Sequence, residues 1–399
     1  MQIESLHIQN FRVFRNVEVK QLPQMAVFLG QNGAGKTTFF DVFGFLHDCL
    51  NRNVRSALAM RGGYQEVVSR EVDSDMRFEI KFRPSPEDPL ITYELTIGLD
   101  ARKAPVVKRE TMRFRRGQYG KPWIILDFAY GQGFAASGKL ESYEDVLIAE
   151  RKNQKIAADD ILAVKGLGQF EDFPAVASLR RLIEDWYVSD FHIENARTRQ
   201  EATYSESLSR TGDNLAQVAK YLYDNHPDRF QAILDRMRER VPGITSVEAK
   251  LTEDGYVILR FQDGRFQNPF SSKFVSDGTI KMFTYLVLLS EPSPHALLCV
   301  EEPENQLYPE LLSQLAEEFR LYSNEGGQVF ISTHSPDFLN AVRLEELYCL
   351  VKSEGFTQIV RASDIPLIRS LYQDGELLGE LWQQGLLLHE ATKLGENAE

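Results

Sequence analysis

The sequence predicts an α/β protein with parallel-sheet elements at both ends of the chain. An antiparallel β-lobe and a helical insertion lie between them. Three observations carry this. A short apolar run at residues 25–29 leads into a Gly-rich turn and then a helical apolar pattern. Residues 76–130 alternate apolar and polar side chains in short segments separated by Pro and Gly, the period of half-buried antiparallel strands. After residue 270 the order is helix, strand, helix, strand, helix, as in a parallel sheet covered by helices.

The elements follow in order. Ile3, Leu6 and Ile8 lead into Asn10-Phe11-Arg12-Val13-Phe14, and Val17 and Val19 continue the alternation in a second strand. Met25 to Leu29 is a third. Phe39, Phe40, Val42, Phe43, Leu46 and Leu50 have the spacing of a helix buried on more than one side. The lobe strands are Met76–Phe82, Ile91–Ile97, Val106–Phe114 and Trp123–Phe128, and residues 131–139 read as a loop. Residues 141–240 read mainly helical, broken at Gly166-Leu-Gly168 and around Ser189 to Arg210. A hairpin follows near 245–251 and 256–261. The expected organisation is 1–140 for the first part of the α/β domain with its β-lobe, 141–240 for the helical insertion, and 241–399 for the second part of the α/β domain.

Composition limits the function. Of 399 residues, 43% are hydrophobic and 26% charged, an ordinary globular balance with enough chain for a large core. The net charge is −13, and residues 271–399 carry 8 Lys+Arg against 20 Asp+Glu. A surface that coats nucleic acid throughout is excluded, and a polyanion is expected on the first two thirds. Cys49, Cys299 and Cys349 stand far apart with no C-x-x-C, which argues against a disulfide framework or zinc ribbon and for a reducing cytoplasm. No apolar run approaches the ~18 residues of a membrane span. The first eight residues alternate and carry an acid, as a strand does and a signal peptide does not.

Gly30-Gln-Asn-Gly-Ala-Gly-Lys36-Thr37 matches G-x-x-x-x-G-K-[ST], placed between a strand and a helix. Glycines let backbone N–H groups turn toward a phosphate, and the start of the helix adds its positive end. Lys36 supplies a charge for the β- and γ-phosphates, and the Thr37 hydroxyl can ligate Mg²⁺.

The strand Ala296–Val300 ends in Glu301-Glu302-Pro303-Glu304. In nucleoside triphosphatases the first acid after such a strand holds Mg²⁺ and the second polarises the attacking water. Glu301 and Glu302 are the candidates, against the plainer alternative of a solvated acidic turn. A second strand, Val329–Thr333, ends at His334, where open α/β sheets bind ligands, so His334 is a candidate γ-phosphate sensor. Ser276-Asp277-Gly278-Thr279 opens an apolar helix, where Ser276 or Asp277 can act as cap and the helix end can bind an anion.

In this order the pieces resemble the ABC-type ATPase heads of the RecF, SMC and OLD group. They are most similar to the stand-alone AAA-type ATPases of bacterial phage-defence loci. Leu6-His-Ile-Gln-Asn-Phe-Arg-Val-Phe14 resembles the opening strand, Gly30–Thr38 the Walker A, and Val275-Ser-Asp-Gly-Thr279 the signature motif. Leu297–Glu304 resembles the Walker B, Asn305–Pro309 the D-loop, Thr333-His-Ser335 the switch, and Leu378-Gly-Glu-Leu-Trp382-Gln-Gln-Gly385 the closing segment of the defence-type ATPases.

The resemblance implies an ABC-ATPase head of the P-loop NTPase fold, with an antiparallel β-lobe and an inserted helical arm. ATP and Mg²⁺ are the implied cofactors. Arg12, Asn32, Gly33, Gly35, Lys36, Thr37 and Thr38 would bind the nucleotide, Thr37 and Glu301 the metal. Glu302 would be the general base and His334 the switch. Ser276 and Gly278 would touch the γ-phosphate held by the other subunit of a homodimer closed by ATP. Glu301 stands where aspartate is usual, and Val275 where leucine is usual. Gln65, Gln118 and Gln132 are all open as the Q-loop residue.

Lys108, Arg109, Arg113, Arg115, Arg116 and Lys121 form the densest basic run, a candidate contact for double-stranded DNA or a sheet face with salt bridges. Arg197, Arg199 and Arg210 form a looser set. Only 65 residues follow His334, too few for the Toprim nuclease domain of OLD proteins. Asp73-Ser-Asp75 and His192-Ile-Glu194 are too short to read as metal sites. The expected function is an ATP-hydrolysing switch that controls an effector in anti-phage defence, such as a Toprim-type nuclease encoded nearby. The alternatives are a RecF-like repair ATPase and a transporter nucleotide-binding subunit.

Overall fold

The computed structural model describes residues 2–72, 74–114, 122–137, 151–191 and 193–396. Arg115, Arg116, Gln118, Lys121, Asp73 and His192 lie outside the described residues. The chain divides into two compact units: Met1–Trp186 with Leu344–Glu376 and Gln384–Glu399, and Tyr187–Arg343 with Leu377–Gln383.

The first unit contains an eight-stranded antiparallel sheet. Its strands are β1 (Gln2–Phe11), β2 (Phe14–Lys20), β4 (Met76–Arg83), β5 (Ile91–Leu99), β6 (Pro105–Phe114), β7 (Trp123–Ala129), β8 (Gln132–Ala136) and β9 (Arg151–Lys155), with β3 (Met25–Leu29) outside it. The order is β2-β1-β4-β5-β6-β7-β8-β9. Alternation fixes the buried face, since Phe78, Ile80 and Phe82 on β4 are all buried, as are Tyr93, Leu95 and Ile97 on β5.

Two strands of this sheet differ from the sequence expectation. Residues 132–136 form β8 rather than a loop, because Tyr130 and Gly131 take positive φ (49° and 70°) and turn the chain back onto β7. Arg151–Lys155, within the segment that reads helical, forms β9 against β8. Its run of charged and polar side chains suits a strand at the edge of a sheet, where solvent meets both faces.

β3 is buried throughout and lies parallel to the strand Leu347–Ser353, which pairs antiparallel with Phe356–Arg361. The helix Lys36–Asn51 follows β3 and buries Phe39, Phe40, Val42, Phe43, Phe45 and Leu46. The Phe45 ring lies 5.4 Å from Phe11 of β1 and 5.7 Å from Phe78 of β4, so one aromatic cluster ties the phosphate-loop helix to the large sheet. Helices Ala163–Leu167 and Pro174–Glu184 and the C-terminal helix Leu386–Glu396 also belong to this unit.

The second unit holds the parallel pair Leu297–Glu301 and Gln328–Thr333. It also holds the hairpin Ile244–Leu251 with Tyr256–Asp263. Helices Leu215–Asn225, Pro227–Arg240 and Pro309–Asn324 accompany them. The helix Asp277–Leu289 is buried at every position from Gly278 onward, its apolar side chains interrupted by the buried polar Thr279, Lys281 and Thr284. No helix among the described residues is long and apolar enough to cross a membrane.

Candidate nucleotide site

In the first unit the turn after β3 takes the form that the glycine spacing predicts. Gly33 and Gly35 have φ of 79° and 103°, which L side chains rarely adopt. Gly35 is also tightly enclosed: a Cβ there would lie 3.0 Å from both Thr357 Oγ1 and Val13 Cγ2. The Thr357 hydroxyl donates to the Ala34 carbonyl at 2.8 Å, and its backbone N–H donates to Val13 at 2.9 Å. The hairpin after residue 347 thus braces the turn from outside. Lys36 is buried, and its ammonium donates to the Gly30 carbonyl at 2.9 Å, so the charge sits over the turn. Asn32 and Thr37 are exposed on its surface and Thr38 is half-buried.

Arg12 lies in the β1–β2 turn with a φ of 48°. Its backbone donates to Val67 at 2.7 Å, and its guanidinium pairs with Asp41 of the phosphate-loop helix at 2.9 Å. Asp41 is shared with Arg61, which also pairs with Asp48. Gln65 stands on the short helix Tyr64–Val67 that receives the Arg12 N–H, while Gln132 begins β8. A cavity of about 370 Å³ beside the turn is lined by Gln31, Asn32, Lys352, Leu388, His389 and Thr392. Sequence reasoning missed the last four because only the fold brings the strand Leu347–Ser353 and the C-terminal helix to this turn.

In the second unit Ser276 caps the helix Asp277–Leu289, with its Oγ accepting from Thr279 N–H at 3.3 Å. Gly278 is buried, and a Cβ on it would lie 3.2 Å from the Gln306 carbonyl, so the signature glycine abuts the D-loop segment. Arg197 donates to the Val275 carbonyl at 2.6 Å and the Lys273 carbonyl at 3.0 Å, and it pairs with Asp277. The structure therefore turns Arg197 onto the signature loop rather than outward with the loose basic set. No sequence pattern signals this contact, which spans about 80 residues of chain.

Glu301 ends the strand half-buried. Glu302 has φ 41°, a strained value for a non-glycine residue, and its N–H donates to the Ser332 carbonyl at 3.0 Å. His334 Nδ1 lies 3.4 Å from Glu302 Oε1 and 3.4 Å from Glu304 Oε1. Glu304 accepts from the Thr333 hydroxyl at 2.8 Å and from His334 N–H at 2.9 Å. Lys281, buried in the signature helix, donates to the Asn305 carbonyl at 2.6 Å. Burial pushes its ammonium down to about 8, against the opposing pull of Glu304 and Glu302. Glu301, Glu302, Glu304 and His334 thus gather where two adjacent parallel strands end, the position at which open α/β sheets act on ligands.

The Thr37 hydroxyl in the first unit and the Glu301 carboxylate in the second are each hard oxygen donors of the kind Mg²⁺ takes. Among the described residues no cluster of three or more His, Cys, Asp or Glu could hold a metal unaided.

The described residues of the basic run are paired: Lys108 with Asp75 at 2.8 Å, Arg109 with Asp127 at 3.1 Å, and Arg113 with Glu94 and Glu79. Burial alone would raise the Glu79 carboxyl, but Lys81 and Arg113 outweigh it and hold it below the ordinary range.

The fold matches that of an SMC head bound to the C-winged helix domain of ScpA, with a TM-score of 0.52 at 12% identity over 90% of this chain and 97% of that one. An SMC head domain from Thermotoga maritima gives 0.47 at 13% identity over 90% and 99%. In sequence, 126 residues are 26% identical to a DNA replication and repair protein RecF from Herpetosiphon aurantiacus, covering 29% of this chain and 31% of that protein. The match to the SMC head bound to ScpA shows that the fold is that of an ABC-type ATPase head, and the 126-residue segment adds a likeness to RecF. Residues 25–340 match the family described as "AAA domain, putative AbiEii toxin, Type IV TA system", and the chain belongs to that family.

Proposed function

We propose that the protein binds and hydrolyses ATP with Mg²⁺ and uses the cycle as a molecular switch. The observation that carries this is the cluster of Glu302, Glu304 and His334 at the strand ends, in a chain whose P-loop holds Lys36 over its turn. Lys36, with backbone N–H groups of Asn32, Gly33 and Gly35, takes the phosphates, and Thr38 and Arg12 add contacts at their edge. Thr37 and Glu301 hold Mg²⁺, which when bound screens the phosphate charge. Glu302 accepts the proton of the attacking water, and His334 faces the γ-phosphate. Gln65, on the short helix whose Val67 carbonyl accepts the Arg12 N–H, is the Q-loop residue. Ser276 and Gly278 serve the nucleotide of a second copy, so that ATP closes a homodimer.

The biological reading is regulation of an effector in anti-phage defence. The family description, which names a toxin system, and the closing segment Leu378–Gly385 support it. The RecF likeness supports a second reading, a DNA-repair ATPase. Co-purification with the product of the neighbouring reading frame, with nuclease activity assayed with and without ATP, separates them. An effector that responds to ATP supports defence, whereas binding to gapped DNA without an effector supports repair. In the lobe, DNA contact predicts that reversing Arg109 and Arg113 flattens the salt dependence of binding. An unchanged slope leaves these residues as a paired sheet surface.

A further inference from the structure

The motif Leu378-Gly-Glu-Leu-Trp382 has no task in the chemistry described so far. Residues Leu377–Gln383 belong to the second unit, although the residues on both sides belong to the first. Within the second unit the helix Leu378–Gln383 packs on Pro336–Leu339, the short helix that follows His334. The contact is close and specific. Gly379 N–H donates to Asn340 Oδ1 at 2.8 Å, and a Cβ on Gly379 would lie 2.2 Å from the Pro336 carbonyl oxygen, so only glycine fits. One turn later, Trp382 Nε1 donates to the His334 carbonyl at 3.0 Å.

The other side of the same residue is held by the acidic strand end, where Glu304 Oε1 accepts His334 N–H at 2.9 Å. Glu304 is itself fixed by the Thr333 hydroxyl at 2.8 Å, and its side chain is only 8% exposed. Lys281 anchors the next residue, Asn305, through its carbonyl. The His334 side chain is 44% exposed, so packing does not immobilise it. The direction of its Cα–Cβ bond, and so the reach of the imidazole, is set by the two peptide groups that flank its Cα, and a hydrogen bond holds each of them. A rotation of either peptide would carry Nδ1 away from Glu302, which it now approaches to 3.4 Å.

We propose that Trp382 and Glu304 are positioning residues for His334, holding its backbone from opposite sides so that the imidazole stays beside Glu302 during hydrolysis. The closing segment is therefore a working part of the hydrolytic apparatus. This rests on the reading of Glu302 and His334 as the hydrolytic pair.

The test is a double-mutant cycle on the full chain, with single-turnover hydrolysis of ATP and ATP binding measured separately. Trp382→Phe keeps the ring and removes the N–H. It should lower the hydrolysis rate about tenfold with ATP affinity unchanged, the loss expected when one hydrogen bond that aligns a reacting group goes. In a His334→Ala background the same substitution should have no further effect, because its only route is through His334. Gly379→Ala, which displaces the helix from Pro336, should give the same pattern. Equal proportional losses in both backgrounds, or an unchanged rate in Trp382→Phe, would overturn the inference. Glu302→Gln in the same assay separates this from the underlying reading: undiminished hydrolysis there rejects the hydrolytic pair itself.

Discussion

Glu110 on β6 is fully buried, and its carboxylate accepts the backbone N–H of Val164 at 3.0 Å. The Ala163 N–H and the Tyr93 hydroxyl donate to it as well, so a carboxylate on the large sheet fastens the start of the helix Ala163–Leu167. Burial pushes the carboxyl up from 4.5 to about 7, although the three donors pull the other way. A raised acid in the folded state binds a proton that the unfolded chain has lost. Its stabilising contribution is therefore complete below about 4.5 and lost as pH rises through about 7. The loss across that window is on the order of 3 kcal/mol. Urea unfolding at pH 5 and pH 8 should show this slope in the native protein and a flatter one in Glu110→Gln.

The P-loop predicts a sharp contrast between two glycines. Gly33→Ala meets open space and carries only the cost of a positive φ, about 1 kcal/mol. Gly35→Ala adds contacts of 3.0 Å with Thr357 and Val13. Thermal melting should rank Gly35→Ala as the more destabilised, and ATP binding should fall much further in it. Equal effects would show that the hairpin after residue 347 does not brace the loop.

Lys36→Ala should abolish ATP binding, because the buried ammonium is the charge placed over the turn. Equilibrium binding of ATP to this variant checks the assignment, and retained affinity would reject it. Glu302→Gln should still bind ATP while turnover falls by about 10² or more, since a general base typically contributes that much. Size-exclusion chromatography with ATP should then show accumulated dimers.

The shared carboxylate of Asp41 predicts a stability effect distinct from a nucleotide effect. Arg61 is 8% exposed and has Asp41 and Asp48 as partners. Asp41→Ala removes one of them and should cost about 2 kcal/mol without ATP. Arg12→Ala, whose guanidinium is more exposed, should cost less in stability and more in ATP affinity. The opposite ranking would show that Arg12 is a structural cation.

Much of the candidate site was legible in the chain. A strand, a G-x-x-x-x-G-K-T turn and a helix are contiguous, and local φ preferences and helix-end geometry suffice to specify what they form. Glu301, Glu302 and His334 were legible for a similar reason, since each ends an apolar run. β8 and β9 were not. Gly-Phe-Ala-Ala and Arg-Lys-Asn-Gln-Lys have little strand propensity, and pairing with neighbours makes them strands.

Local physics along the chain specifies the phosphate turn, the cap at Ser276, the acids and the histidine at their strand ends, and the alternation of the large sheet. What holds these parts in place comes from long-range packing. Thr357 on the P-loop, Arg197 on the signature loop and Trp382 on His334 all act across long stretches of chain. Each works through a hydrogen bond to a backbone carbonyl. Every residue offers such a carbonyl, so its use leaves no mark on the sequence until folding brings a particular donor to it.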